Sequence, residues 1–266
     1  MAVKKTAKAI VEKPIAQTMP IASDNTLFAA DVGAGGDGMD KGAFSIPFLT
    51  ILQALSPAVQ RAKAEYVDGA EPGMIMNTVT KELFTDVLVS IRNTSHTQCR
   101  WKPRDDGGGF LGEDPWTADV ELAFGNIEPD DKGRRIKDGV EFTEHRNYFC
   151  ALLHEDGRDP EPALISMTKS QLKSARDWNT LAINKSVKAS NGQPVWRSEI
   201  YKLSSIFRTK GENSWFVWTI SHHTRHVDAV AYNALRGTID VYATAPVNRQ
   251  IEHVAEPESA APAGEM

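Results

Sequence analysis

Lysine, arginine and aromatic side chains are interleaved in one stretch of this sequence, residues 163–220. The whole chain is acidic, with 30 Lys and Arg against 35 Asp and Glu and a formal net charge of −5. Within the stretch, however, cations outnumber acids, and tryptophan, tyrosine and phenylalanine recur between them. Aromatic rings stack on unpaired bases, while lysine and arginine pair with phosphates. The pattern therefore favours binding to a single-stranded nucleic acid.

A helix is predicted at the start of this stretch. Thr168 and Gln171 have the spacing of a capping box, in which the two side chains satisfy the first backbone N–H groups of a helix. Lys169, Lys173 and Arg176 then share one side of the helical wheel and are predicted to face solvent. The opposite, apolar side consists of Leu172, Ala175, Trp178, Leu181 and Ala182. This side is predicted to face the core.

A β-hairpin is predicted to follow the helix. Residues 201–207 alternate between apolar and polar side chains, which is typical of a half-buried strand. Residues 210–213 supply a turn, and the sequence WFVWTI returns as a second strand. We expect Trp215 and Trp218 of this return strand to fill the core, because tryptophan is mostly buried in globular proteins.

Residues 100–104 form a second candidate contact. An arginine, a tryptophan, a lysine and a second arginine precede three consecutive glycines there. Glycine removes side-chain bulk, so such a loop allows a nucleic-acid backbone to approach closely. A plain flexible turn is the open alternative.

The predicted DNA-binding residues divide into two groups. Arg100, Lys102, Arg104, Lys169, Lys173, Arg176, Lys188, Arg197, Lys202 and Arg208 are the predicted phosphate contacts. Trp101, Trp178, Trp196 and Tyr201 are the predicted stacking surfaces. Trp178 also belongs to the inward face of its helix, so it can stack a base only where that face borders the binding groove.

Length and composition restrict the class of protein. The chain has 266 residues, 41% of them hydrophobic and 24% charged, which is ordinary for a globular protein. It has no apolar run long enough for a membrane span and no secretory signal. Its 2 cysteines have no metal-binding spacing. We therefore expect a cytoplasmic protein without cofactor or bound metal.

Several elements are predicted outside the central stretch. Ser45 is expected to start a short helix, Thr224 a longer one, and residues 118–124 a third. Residues 73–91 and 145–167 are expected to form strands. The segment of residues 105–144 is rich in acids, and its polar loop is expected to pair its own charges.

The sequence resembles a group of phage-encoded, single-stranded DNA-binding replication proteins with an OB-fold core. The resemblance rests on IPFLTILQALSP followed by EYVDGAEPGMIMNTVTKELF, on WKPRDDGGGF, on ISMTKSQLKSARDWN and on IYKLSSIFRTKGENSWFVW. It implies a five-stranded OB-like barrel with appended helices, hence a mostly β, α+β fold. It also implies sequence-independent DNA binding in phage replication or recombination in the host bacterial cytoplasm. The implied partners are single-stranded DNA and replication proteins such as a polymerase, helicase or primase, with further copies of the chain as an additional candidate.

The predicted organisation is one domain between two terminal arms. Residues 1–42 are expected to be a disordered arm, residues 43–245 a single OB-like domain carrying the acidic insertion, and residues 246–266 a mildly acidic tail. No catalytic motif is evident, so the protein is predicted not to be an enzyme. Two other classes remain open: a phage structural or assembly protein that uses the aromatic hairpin as a subunit contact, and a metal-dependent nucleic-acid enzyme that uses His222, His226 and Asp228.

Overall fold

The structure, a computed structural model, describes residues 47–226 and Tyr232. Its strands are β1 (Leu49–Ile51), β2 (Ile75–Asn77), β3 (Leu83–Phe84), β4 (Asp86–Trp101), β5 (Phe110–Pro115), β6 (Arg135–Lys137), β7 (Val140–Leu153), β8 (Glu161–Thr168), β9 (Glu199–Lys210) and β10 (Asn213–Arg225). Its helices are α1 (Ala118–Gly125) and α2 (Leu172–Lys185). The fold is therefore mostly β with a few helices, which confirms the predicted α+β class. The predicted terminal arms lie outside the described residues.

Five long strands form the main antiparallel sheet. β4 lies at its centre, pairing with β7 along most of its length and with β9 near its start. β8 extends the sheet beyond β7, and β10 extends it beyond β9. The helix α2 connects β8 to β9. This order, β8-β7-β4-β9-β10 with a helix before the fourth long strand of the chain, is the strand order of an OB-fold.

The barrel expected for an OB-fold is not closed, which corrects the prediction. Over the described residues β8 and β10 do not pair, and β1 lies near both of them. Phe48 makes a single parallel bridge to Leu164 of β8. At the other side, the Gln53 amide accepts from the N–H of Phe216 (2.9 Å) and donates to its carbonyl (3.0 Å). The Gln53 side chain thus satisfies the backbone hydrogen-bonding groups of Phe216 at the edge of β10, where a closed barrel would place a neighbouring strand.

The core lies between the inner face of this sheet and α2. Along β9 the side chains of Tyr201 and Leu203 are completely buried and Lys202 is exposed, as the predicted alternation requires. From α2, Ala175, Trp178 and Ala182 enter the same core cluster. The predicted inward face of the helix is therefore confirmed.

The start of α2 differs from the predicted capping box. Thr168 makes no capping bond, and a 3₁₀ turn, Lys169–Gln171, precedes the helix. The Gln171 Oε1 instead accepts from the backbone N–H of Trp218 (3.2 Å), and Ser174 Oγ donates to the carbonyl of Trp218 (2.7 Å). The Gln171 amide is thus committed to a tertiary contact with β10, which is why it does not cap its own helix.

One predicted helix is wrong, and the predicted start of another is wrong. The residues after Ser45 include β1, which pairs with β2. Thr224 lies within β10, opposite Ile200, so it does not cap a helix; farther along the predicted helix the structure describes Tyr232, which is helical. The physical reason is that a short apolar run fits both helical and strand periods, so pairing with a neighbouring strand decides the outcome.

The acidic insertion is a small lobe built onto the ends of β4 and β7. We use the name acidic lobe for residues 105–144. β5 pairs with β4, β6 pairs with β7, and α1 lies between them at the predicted position. Arg134 pairs with Asp130 (2.9 Å) and with Asp105 (3.5 Å). These pairs confirm that the polar loop neutralises part of its own charge.

Candidate nucleic-acid interface

The hairpin of β9 and β10 extends beyond the rest of the sheet. Its pairing with β4 ends where Ser204 meets Asp86. Residues 205–218 therefore form a ribbon in which β9 and β10 pair only with each other, and we call its outer part, residues 207–216, the hairpin tip. The turn has two residues, and Gly211 adopts φ 59°, a left-handed conformation that glycine tolerates without strain.

Aromatic side chains are accessible at the hairpin tip. Phe207 is 53% exposed, and its ring centroid lies 5.1 Å from that of Phe216. Phe216 packs against Gly73, where an added Cβ would lie 2.6 Å from the ring. On the other face of the ribbon, Arg208 lies opposite the half-buried Trp215. The tip therefore presents an exposed ring on one face of the ribbon and a cation on the other. The alternation pattern gave no sign that Phe207 would be exposed, since it places Phe207 on the buried face with Tyr201 and Leu203.

Two of the predicted stacking residues are sealed inside the protein. Trp178 and Tyr201 have no exposed surface. The Trp178 ring stacks on Tyr148 with centroids 4.2 Å apart and meets Tyr201 edge-on at 5.8 Å. Burial also raises the pKa of Tyr201 to about 12. The predicted roles of Trp178 and Tyr201 in base stacking are therefore wrong, because no base can reach either ring in this fold.

The other two predicted stacking residues keep partial access to solvent. Trp101 is half-buried; its Nε1 donates to Thr143 Oγ1 (2.8 Å), and its ring meets Phe110 edge-on at 5.3 Å. Trp196 is half-buried in the 3₁₀ turn Trp196–Ser198 and packs against the core. Both rings are held in fixed positions with only part of their surface free.

Some of the predicted phosphate contacts are engaged by acids. Arg100 pairs with Asp114 (3.1 Å). Lys202 pairs with Asp86 (3.1 Å), and Lys169 lies 3.6 Å from Glu141. In all three pairs the cationic side chain is exposed to solvent, so the pairs contribute little to stability. They do lower the positive potential that these cations would offer to a phosphate.

Three other predicted cations donate to backbone carbonyls. Arg197 Nε donates to the carbonyl of Arg92 (2.9 Å), and Arg176 Nε lies 3.4 Å from the carbonyl of Leu172. Lys188 Nζ donates to the carbonyl of Ile183. A carbonyl bond leaves the positive charge in place, so these residues keep an electrostatic role.

Lys102, Arg104, Lys173 and Arg208 are exposed and make no ion pair or side-chain hydrogen bond within the described part of the chain. Lys102 and Arg104 lie in the loop between β4 and β5, and Arg208 lies at the hairpin tip. Lys173 lies in the first turn of α2, next to Ser174, whose hydroxyl contacts β10 at Trp218. The cations with the most freedom therefore lie after β4, on α2 and at the hairpin tip.

The base of the hairpin holds a buried carboxylate. Glu199 is completely buried and accepts from Arg225 Nε (2.7 Å), and it lies 2.8 Å from His222 Nε2. Burial alone would raise the pKa of Glu199, but the hydrogen bonds from His222, Arg225 and Ser198 hold it below its usual value. This cluster fixes the base of the hairpin and keeps Glu199 ionised.

The same contacts bear on the metal-site alternative. His222 is in a strand and bonds to Glu199, whereas His226 lies beyond the strand with its Nε2 3.1 Å from Ser90 Oγ. They do not share a helical face. Asp228 lies outside the described residues, and among those that are described no group of His, Cys, Asp and Glu is placed to hold a metal ion.

The fold and these contacts define a mostly β protein with an open, OB-like barrel, an acidic lobe and an exposed aromatic hairpin. A family profile of Pam3 phage gp34-like proteins matches residues 16–243. The chain therefore belongs to the Pam3 phage gp34-like family and is a bacteriophage protein. Neither the curated proteins nor the solved structures contain a match. Among the described residues no helix has the length and apolar character needed to cross a membrane.

Proposed function

We propose that this phage protein binds single-stranded DNA without catalysing a reaction, and acts in phage DNA replication or recombination in the host cytoplasm. The observation that carries the proposal is the hairpin tip, where the ring of Phe207 and the side chain of Arg208 are both exposed, on opposite faces of the ribbon. In OB-folds the loop between the fourth and fifth strands contacts oligonucleotides. Among the five long strands of this protein, β9 is the fourth and β10 is the fifth.

A second feature supports the same assignment. The connection between the first two strands of an OB-fold also lines its binding face. Here that connection, which joins β4 to β7, begins after Trp101 with the exposed side chains of Lys102 and Arg104. The start of this connection and the hairpin tip thus each carry an aromatic ring and at least one exposed cation.

The chemistry of these groups suits a strand of any sequence. A phenylalanine or tryptophan ring stacks on the face of every base, and each such stack contributes about 1–3 kcal/mol. Lysine and arginine pair with phosphates, which are the same at every nucleotide. We therefore expect the protein to prefer single strands to duplexes, because only single strands expose base faces. We further propose that the protein works beside phage replication proteins that act on the same strand.

The test is a fluorescence anisotropy titration of labelled oligonucleotides at two salt concentrations. We expect single-stranded DNA to bind more tightly than a duplex of the same length. The logarithm of the association constant should fall linearly with the logarithm of salt, since bound cations displace counterions. Arg208→Glu should weaken binding at both salt concentrations and reduce the salt dependence.

Lys132→Glu is the matched control for this charge reversal. Lys132 is also exposed, but it lies in the acidic lobe. We expect it to change affinity far less than Arg208→Glu does. Absence of single-strand binding at low salt would contradict the proposal, and equal effects of the two reversals would contradict the placement of the site at the hairpin tip.

A further inference from the structure

The hairpin tip extends beyond the sheet, so strand pairing alone does not fix its orientation. β9 pairs with β4 only as far as Ser204. A two-stranded ribbon by itself is marginally stable in water. Three hydrogen bonds and one aromatic contact join this ribbon to residues 52–74, between β1 and β2. This segment therefore supports the ribbon from outside the main sheet.

Gln53 lies two residues after β1 and binds the backbone of one residue at the tip. Its side-chain amide accepts from the N–H of Phe216 (2.9 Å) and donates to the Phe216 carbonyl (3.0 Å). A primary amide carries its acceptor and its donors in one plane, so it can take the place of a neighbouring strand's peptide groups. Gln53 therefore fixes the edge of β10 at the tip.

Gly73 lies two residues before β2 and contacts both strands of the ribbon. Its carbonyl accepts from the hydroxyl of Ser205 on β9. The ring of Phe216 on β10 packs so closely that a Cβ added to Gly73 would lie 2.6 Å from it. A side chain at this position would displace the ring, and the φ of 91° also favours glycine.

Gln53 and Gly73 are held next to each other by the backbone of the segment. The Gly73 N–H donates to the carbonyl of Leu52 (2.7 Å), and the Leu52 N–H donates to the carbonyl of Met74 (2.8 Å). Leu52 is buried in a small core cluster separate from the main one. The Gln53 N–H donates to Ser56 Oγ (2.8 Å). We call Gln53 and Gly73 the tip support.

We propose that the tip support positions the hairpin tip for contact with a single strand, so that Gln53 and Gly73 are positioning residues of the DNA site. This inference rests on the proposed function. Its physical link is Phe216, which contacts both residues and whose ring centroid lies 5.1 Å from that of Phe207. A ring that is already oriented binds a base more tightly, because less conformational freedom is lost on binding.

Hydrogen exchange of the DNA-free protein tests the support directly. Gln53→Glu keeps the size of the side chain but removes the donor, and Gln53→Ala removes both hydrogen bonds. The informative amides are those of Arg208 and Lys210, because these residues pair with β10 and do not contact Gln53. We expect both amides to exchange about fivefold faster or more in each variant, the factor that one lost hydrogen bond gives. Unchanged exchange would overturn the proposal.

Ser205→Ala tests the contact of Gly73 without altering the glycine itself. It removes the hydroxyl that donates to the Gly73 carbonyl, so the same two amides should exchange faster. Ser214→Ala is the matched control, since Ser214 lies at the tip and its hydroxyl makes no hydrogen bond within the described residues. Equal exchange in the two serine variants would contradict the role of Gly73.

A double-mutant cycle tests whether the tip support acts on DNA through the exposed ring. Gln53→Ala should weaken the binding of a single-stranded oligonucleotide about fivefold or more in anisotropy titrations. In the Phe207→Ala background the same change should have a clearly smaller effect, because no ring remains to be oriented. Equal effects in the two backgrounds would overturn the proposal, since a general loss of stability acts in both.

Gln60→Ala is the control within the same segment. The Gln60 side chain makes no hydrogen bond in the part of the chain that the structure describes, so exchange at the tip and DNA affinity should both stay unchanged. The failure of the proposed function can be told apart from the failure of this inference. If the unmodified protein binds no single strand at low salt, the proposed function fails. If it binds and Gln53→Ala binds equally well, only the positioning role fails.

Discussion

Two groups of aromatic side chains belong to neighbouring parts of this protein and differ in exposure. Tyr148, Trp178 and Tyr201 are sealed between the sheet and α2 at the base of the hairpin. Phe207 and Phe216 lie at the hairpin tip, and Phe207 is more than half exposed. The same residue types thus fill the core in one place and are available to a ligand in the other. The difference arises because β4 and α2 cover only the base of the hairpin.

Replacing a ring of the buried group should have the largest effect. Trp178→Ala removes a fully buried side chain that stacks on Tyr148, and we expect it to lower the free energy of unfolding by about 3–5 kcal/mol. Urea unfolding followed by circular dichroism measures this. Phe207→Ala is the matched control and should cost no more than about 0.5 kcal/mol, as for most surface changes. Equal losses from the two variants would show that the contrast between base and tip is mistaken.

The buried carboxylate at the hairpin base gives the next largest effect. Glu199→Ala should lower the free energy of unfolding by about 2–3 kcal/mol at neutral pH, less than the about 3–5 kcal/mol lost when an ion is left fully buried. The reason is that the side chains of Arg225 and His222 are 52% and 27% exposed and can be hydrated again.

This loss should depend on pH. Since the pKa of Glu199 is lower in the folded state, its stabilisation is complete above the unfolded pKa of about 4.3 and disappears as the pH falls through the folded value. Unfolding of the unmodified and Glu199→Ala proteins across this range should therefore converge at low pH. Glu199→Gln, which keeps the size of the side chain, is the control and should lose less at neutral pH. A difference that is constant with pH would rule out an ionised Glu199 as the cause.

Phe207 tests the exposed group of aromatic rings in this comparison. Phe207→Ala should weaken single-stranded DNA binding by about 1–3 kcal/mol, the contribution of one base stack, while leaving the fold intact. Anisotropy titrations provide the measurement. Trp116→Ala, which removes a half-buried ring in the acidic lobe, is the control and should leave the affinity unchanged. Unchanged affinity in Phe207→Ala would remove the hairpin tip from the proposed interface.

The contact between α2 and β10 gives the smallest effect. Gln171→Ala leaves the N–H of Trp218 without its acceptor and should cost about 1 kcal/mol in the free energy of unfolding. DNA affinity should not change, because this hydrogen bond joins buried groups at the base of the hairpin and not exposed groups at its tip. Ser170→Ala, one residue earlier and with no hydrogen bond at its hydroxyl within the described residues, is the control. A large loss of DNA affinity in Gln171→Ala would show that the base and tip of the hairpin are coupled.

The sequence by itself determined the elements whose periodic pattern was long. The strands β7, β8, β9 and β10 and the inward face of α2 follow from apolar runs and spacing, because burial of one face dictates that spacing. The resemblance implied a mostly β, OB-like fold, and the structure confirms the α+β class with the barrel left open. The predicted DNA contacts remain predictions, with the exception of the two buried rings.

Only the tertiary structure decided which side chains are accessible. Periodicity shows that Trp178 and Phe207 lie on the inner faces of their elements, but it does not show how far the neighbouring elements extend to cover them. In this protein, Tyr148 of β7 and Tyr201 of β9 cover Trp178, while β4 stops before it reaches the level of Phe207. Contacts between residues far apart in sequence also committed Gln171 to β10 and left the barrel open. Such contacts depend on the three-dimensional path of the chain, and no local pattern encodes them.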